Sequence, residues 1–192
     1  PPTGTLDEES LGMALNKYAM NIFAKENKEN KENEGNIEIS SLISTENMLA
    51  GEKTAQGMVL NSSKASLHAD ENISISAAVG HDVRLTRVMP AISVGHVNGI
   101  HADSSELDMQ AGGTIIIGAG IYGFTSNNNL AAINASNSKI NIKAEQGIEI
   151  KADNGDAIVA DKSEIALDGG SSVIAIRGNV NVLNNSTLKL SG

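Results

Sequence analysis

Residues 140–152 read INIKAEQGIEIKA: Ile-x-Ile-Lys-Ala, a three-residue break, then Ile-x-Ile-Lys-Ala again. Wound as a helix, isoleucines two apart would scatter around the cylinder. As strands, Ile140 and Ile142 share one face while Asn141 and Lys143 share the other. Ile148 and Ile150 repeat the arrangement after Glu145-Gln146-Gly147. The segment is strand, tight corner, strand, with Gly147 suited to a backbone angle that a Cβ would resist.

The same spelling recurs. Ile100–Met109, Ile133–Ile142, Ile158–Leu167 and Asn181–Leu190 follow one pattern: apolar, x, small, x, x, Ser, x, apolar, x, apolar. Asn181 stands at the first apolar place of the last copy. Leu60–Ala69 aligns as a fifth copy with Ala65 at the serine position. The serine column Ser105, Ser138, Ser163 and Ser186 is spaced by 33, 25 and 23 residues. Second strands follow at Ile73-Ser-Ile75, Ile115-Ile-Ile117, Ile148-Glu-Ile150 and Ile174-Ala-Ile176. A unit of about 23–25 residues with two or three short strands is one turn of a β-solenoid, and longer spacings are coils with loops pushed outward. Six to eight coils stacked ~4.8 Å apart would form a rod of roughly 30–40 Å.

Stacking in step predicts outward columns. Glu106, Lys139 and Glu164 become neighbours, as do Gln110, Lys143 and Asp168, and alternating signs favour the register by a few tenths of a kcal/mol each, roughly. Lys151 and Arg177 stack like on like, and one residue of slip is needed in that second strand.

Residues 1–54 form an N-terminal part of less regular coils, and 55–192 carry the repetitive ones, within one continuous solenoid. The stretch LGMALNKYAMNIFA, residues 11–24, fits a helix or two strands, and periodicity does not arbitrate so short a run. Strands are favoured, because Ile22-Phe-Ala24 and then Gly35-Asn-Ile37-Glu-Ile39 mimic the later coils. KENKENKENE, residues 25–34, is a polar loop. Residues 80–98, with Val-Gly-His at 79–81 and 94–96, form a second excursion. The chain opens on Pro1-Pro2 and closes on STLKLSG while a repeat is running, so a segment of something longer is expected.

Composition narrows the function. Of 192 residues 40% are apolar but only 2% aromatic, so the core must be Ile, Leu, Val and Ala. A net charge of −9 leaves no basic patch for nucleic acid or for an anionic membrane surface. No apolar run reaches the length of a membrane span. Cysteine is absent.

Candidate sites are few. Of the four histidines, His68, His81, His96 and His101, the pair His81 and His96 with Asp82 invites a metal, yet no H-x-x-x-H spacing supports one. No metal, cofactor or catalytic residue is expected. Asp153, Asp156, Asp161 and Arg177 are the residue types with which β-helix polysaccharide lyases and hydrolases cleave glycosidic bonds, and a fragment of such an enzyme is the alternative reading. Asp and Asn are also what corners ask for, and Asp153, Asp156 and Asp161 suit calcium by type only, since neither an EF-hand loop nor a G-G-x-G-x-D repeat is present. The serine column lacks a recurring His or acid partner and reads as structural. The ligand-contact residues proposed from sequence are His81, Asp82, Arg84, Arg87 and His96, on the second excursion.

Residues 133–142, Gly147–Ala152 and Ala157–Leu167 together resemble the passenger region of Gram-negative autotransporter adhesins, over roughly residues 55–192. The resemblance implies a right-handed parallel β-helix, displayed at the cell surface through an outer-membrane barrel at its C-terminal side that this sequence lacks. It implies a non-catalytic role in adhesion, autoaggregation or biofilm formation. It gives cysteine's absence a reason, since the passenger crosses the outer membrane unfolded. Expected partners are a host surface molecule, a glycan or another copy of the chain, with loops 25–34 and 80–98 carrying specificity.

Overall fold

The computed structural model describes residues 8–25, 35–44, 51–80, 92–122 and 129–192. These residues form strands and corners, without a helix among them. In chain order the strands are β1 (Glu8–Asn16), β2 (Ala19–Ala24), β3 (Ile37–Ser44), β4 (Gly51–Asn61), β5 (Lys64–Ala69) and β6 (Ile73–Gly80). There follow β7 (Ile92–Asp103), β8 (Glu106–Ala111), β9 (Ile115–Tyr122), β10 (Leu130–Ser136) and β11 (Lys139–Ala144). The last are β12 (Ile148–Asp161), β13 (Glu164–Asp168), β14 (Ile174–Leu183) and β15 (Thr187–Ser191).

All pairings among them are parallel; each strand up to β9 pairs with the third strand after it, and β10 to β13 pair with the second, because β12 and β14 each span two ladders. One six-stranded sheet runs β2-β5-β8-β11-β13-β15. A nine-stranded sheet runs β1-β4-β7-β10-β12-β9-β6-β3, with β14 added to β12. That sheet doubles back because β12 serves two ladders. Its residues 148–153 lie beside β9, and its residues 156–161 lie beside β10. Three ladders result, which we call first (β1, β4, β7, β10 and the later halves of β12 and β14), second (the six-stranded sheet) and third (β3, β6, β9 and the earlier halves). One strand from each makes a tier.

Alternation drives the inward face. β8 and β11 both bury every second residue, and Leu107, Met109, Ile140 and Ile142 are 2% exposed or less. Ile73, Ile75, Ile115, Ile117, Ile148 and Ile150 fill the third ladder's inner face, and all belong to one apolar cluster. A fully buried side chain of this size contributes about 1.5–3 kcal/mol by leaving water. The interior is narrow. A Cβ on Gly99 would sit 2.7 Å from the Ala132 carbonyl oxygen and 2.8 Å from that of Gly118, so the first and third ladders meet backbone to backbone there.

The corner between the first and second ladders repeats in tiers two to five. A residue with positive φ (Ser62 49°, Ser104 51°, Asn137 47°, Lys162 49°) precedes a buried serine. The Ser105 N–H donates to Ser138 Oγ (3.0 Å), and the Ser138 N–H donates to Ser163 Oγ (3.0 Å). Each serine hydroxyl in turn donates to the carbonyl two residues back, as Ser138 does to Ser136 (2.7 Å). Ser163 reaches Ser186 in the same way. The column's hydroxyls are occupied in hydrogen bonds with the backbone.

Several alignments shift. The column's next member is Ser63, whose N–H donates to Ser105 Oγ; Ala65 lies two residues on, opposite Leu107 in the core. Val180 takes the first apolar place of the last copy, opposite Ile158, while Asn181 faces outward beside Val159. The extra residue lies in the corner, where Asn184 and Asn185 both have positive φ. The slip assigned to the second strand is also in a corner, since Ile148 and Ile150 pair directly with Ile174 and Ile176. Residues 10–24 are strands, although Tyr18 points outward at the corner, 72% exposed. The second excursion is shorter than 80–98, because β7 resumes the ladder at Ile92.

Removing Ser138 Oγ strips the Ser105 N–H of its acceptor at a buried corner and leaves the Ser136 carbonyl with one donor of two, the Ser104 N–H. Ser138→Ala is expected to lower unfolding free energy by about 1–3 kcal/mol. Lys162→Asn should raise it, by a fraction of the ~1–2 kcal/mol that left-handed geometry costs a residue with a Cβ, since Asn tolerates it better. Urea denaturation of both variants checks the pair; equal midpoints would show that the corner does not govern stability.

Candidate functional site

Of the ligand-contact residues proposed from sequence, His81, Asp82, Arg84 and Arg87 lie outside the described residues, as do residues 26–34 of the first loop. His96 is described, and it is not in a turn. Val94-Gly95-His96 sits within β7, opposite a register irregularity between Lys53 and Ala55 of β4. The His96 N–H donates to Thr54 Oγ1 at 3.3 Å, and the imidazole is exposed. Irregular pairing there interrupts the apolar alternation, which is why the segment reads as an excursion in sequence.

On the outer side of the first ladder, His96 and His101 border a groove of about 410 Å³, with Glu9, Leu11, Gln56 and Val59 along it. His101 was noted in the sequence without being assigned a role. Its register partners are Val59 and Asn134, and its Nδ1 is buried without a hydrogen-bond partner. Burial, then the neighbouring His96, hold its pKa below the ordinary value, while Asp103 pulls the other way. Among the described residues no three His, Asp or Glu side chains converge to hold a metal ion.

The acidic set does not assemble. Asp156 and Asp161 lie five residues apart on β12, roughly 16 Å for extended chain. Paired glycosidase carboxylates stand about 5–9.5 Å apart. Asp161 accepts from Asn184 Nδ2 (2.6 Å) in the next tier. Asp153 accepts from Lys151 Nζ (3.1 Å) and from the Tyr122 phenol (2.9 Å), which raises the pKa of Tyr122. Arg177 pairs with Glu149 at 3.4 Å. Each is a local partner across or along a ladder.

The second ladder's outer surface carries the predicted columns. Lys64, Glu106, Lys139 and Glu164 stand in successive tiers, directly opposite one another. Lys64 Nζ lies 2.7 Å from Glu106, and Lys139 Nζ lies 3.9 Å from Glu164. Lys189 adds a 2.9 Å contact to Glu164, and this hydrogen bond, with the charges of Lys189 and Lys139, holds the exposed Glu164 carboxyl below its ordinary range. The far column runs Phe23, His68, Gln110, Lys143, Asp168. Its Lys143 and Asp168 are 3.9 Å apart, and the Phe23 and His68 rings stack at 5.1 Å. Between them runs a column of shorter groups, Asn21, Ser66, Asp108, Asn141 and Ala166, which ends in the long Lys189 of the sixth tier. Lys64 was missed as a column member because the two-residue misalignment at Ala65 moved it out of line.

The lowered pKa of His101 has a sign. Between the folded value and the ordinary one near 6.5, the unfolded chain binds more protons than the folded chain. This contribution is complete above pH ~6.5 and is lost as pH falls through the window beneath it. His101→Asn, which repeats Asn134 of the neighbouring tier, is expected to flatten the fall in melting temperature between pH 7.5 and 5, on the order of its ordinary titration range. An unchanged slope in that variant would assign the dependence to other groups.

No family model matches the chain, and no curated protein or solved structure matches it either.

Proposed function

We propose that this chain is part of a right-handed parallel β-helix, with about 23–25 residues per uninterrupted coil and longer coils carrying outward loops. In this reading it is a non-catalytic stalk and contact surface of an outer-membrane-anchored, cell-surface adhesin that brings cells together by self-contact. Support for the β-helix comes from parallel ladders that repeat every third strand. Support for self-contact comes from one observation, the order of charges on the second ladder.

Numbered by tier, the near column reads Lys64, Glu106, Lys139, Glu164 in tiers two to five. The sequence is antisymmetric about its midpoint. A second copy turned over by a two-fold axis along the strand direction, between Glu106 and Lys139, faces every column with itself in reverse. Lys64 then meets Glu164 of the copy, and Glu106 meets Lys139. In the far column His68 meets Asp168 and Gln110 meets Lys143. In the central one Asp108 meets Asn141 and Ser66 meets Ala166. In tiers two to five shorter central groups let the faces approach, the near column supplies alternating charge along and across the faces, and in the outermost tiers Asn21 meets Lys189. Such an interface is isologous, the same patch on both copies.

Six tiers at ~4.8 Å by five or six residues at ~3.3 Å bury about 1,000 Å² in all, the lower edge of stable interfaces. One pair of these segments is therefore weakly held, and many along longer rods, or many rods on a surface, would add by multivalency.

Microspheres coated with the purified chain are expected to cluster. Lys139→Glu should disperse them, because it sets Glu against Glu across the two-fold axis. Within the chain the same change sets three glutamates opposite one another, at a folding cost of roughly 0.2–1 kcal/mol per pair. The double exchange Glu106→Lys with Lys139→Glu restores opposite charges across the axis and should restore clustering. Clustering that survives Lys139→Glu, or a double exchange as inert as the single one, would sink this contact.

A further inference from the structure

The third ladder's outer surface is built differently from the other two. Beside Tyr122 its outward groups are short, Ser76 and Gly118 in one column and Ala78 and Gly120 in the next, while Leu42 beyond Ala78 and Ile116 in the adjoining column stand out as exposed apolar groups. At the end of β9 the Tyr122 ring is folded back over this floor. A Cβ on Gly120 would lie 2.9 Å from Tyr122 Cζ and 2.7 Å from its Oη, so the ring rests where only a glycine leaves room. The phenol donates to Asp153 Oδ2 at 2.9 Å, and Lys151 Nζ holds the other carboxylate oxygen at 3.1 Å. The ring is thus fixed underneath and at its tip, while the residue remains 52% exposed.

The polar groups beside it are of both kinds. Lys151 and Arg177 stand opposite each other in adjacent tiers, and Asp153 and Glu149 accept from them. Lys151 keeps two further donors and Asp153 keeps free lone pairs. A cationic ligand would meet Lys151 and Arg177, and an anionic one would meet Asp153 and Glu149. A neutral ligand with one apolar face and several adjacent hydroxyls suits all of them, because each hydroxyl both donates and accepts.

We propose that Tyr122, Asp153 and Lys151 form a subsite for a neutral pyranose of a glycan chain. The sugar's C–H face lies on the exposed face of the ring, and its hydroxyls reach Asp153 and Lys151. A ring already immobilised loses little further freedom on binding, which is what makes tyrosine an effective contact residue. The low floor of Ser76, Gly118 and Ala78 leaves space beside the ring for the neighbouring sugars of the chain. This inference rests on the reading of the chain as an adhesive segment for its setting only. The subsite is on another ladder from the self-contact columns, so either can fail without the other.

The chain has two tyrosines and no tryptophan, so Tyr18→Phe leaves Tyr122 as its single tyrosine reporter. Purified Tyr18→Phe protein would be titrated with maltohexaose, cellohexaose and chitohexaose into the millimolar range, following tyrosine fluorescence. Saturation-transfer NMR on the wild type would be run in parallel. A saturable change with at least one oligosaccharide is expected. Tyr122→Ala should weaken that binding by about tenfold or more, the equivalent of ~1.4 kcal/mol. Asp153→Asn, which keeps an acceptor but loses charge, should weaken it less, with strand circular dichroism unchanged in both. Absence of saturable binding to all three sugars, or equal saturation transfer in wild type and Tyr122→Ala, would overturn the proposal.

Discussion

The structure depends on one constraint: every tier must offer the next the same row of backbone donors and acceptors, corners included. Along straight strands parallel pairing provides this without help from side chains. At a corner the chain turns, and an N–H there would point at nothing. The solution is a left-handed residue followed by serine, so that Ser105 N–H finds Ser138 Oγ and Ser138 N–H finds Ser163 Oγ. A left-handed residue with a Cβ is costly, on the order of 1–2 kcal/mol. It persists at Ser62, Ser104, Asn137 and Lys162 because a buried, unpaired N–H at each corner would cost as much or more.

The same constraint explains which parts of the fold are legible in sequence. Where coils are short, as from Ile133 to Leu167, the apolar alternation and the serine fix the register together. The Glu106–Lys139–Glu164 column then follows by counting. Near Leu60 the serine was placed two residues too late. A slip of one would have thrown apolar residues outward, but a slip of two keeps every face correct. Hydrophobic pattern is blind to it, and only the corner chemistry of Ser62-Ser63 breaks the tie. At Val180 the difficulty reverses: Asn184-Asn185 lengthens the corner by one, so counting back from Ser186 lands on the outward Asn181. Asp82, Arg84 and Arg87 lie outside the described residues, and no repeat in the sequence assigns them a register.

The placement of the rings follows from the narrow interior. Backbone meets backbone at Gly99, and the core is filled by Ile, Leu, Met and Ala. Among the described residues Tyr18, Phe23 and Tyr122 are all more exposed than buried. In most domains large rings fill the core, and their scarcity outside carries little meaning. Here an outward ring contributes nothing to the interior. Phe23 gains a stacking partner in His68, and Tyr122 gains a carboxylate at its tip, so each is held by neighbours on the surface instead. Tyr122 could not have been found by composition, which counts rings without saying where they point; its signal is Gly120, two residues before it on the same face.

Distance decides how the surface acts. The chain as a whole carries −9, which repels a second copy over a Debye length of about 8–10 Å in physiological salt. The second ladder departs from that average. Lys64, Lys139, Lys143 and Lys189 balance Glu106, Asp108, Glu164 and Asp168, so this face is neutral while its charges alternate every ~4.8 Å. An alternating pattern cancels itself within a few spacings, and at long range the face attracts nothing. It becomes selective only at contact, where a shift by one tier turns attraction into repulsion in the Lys64–Glu164 column. In the proposed self-contact, the register imposed by hydrogen bonds inside would thereby be written on the outside as a rule for which alignments of two copies are allowed.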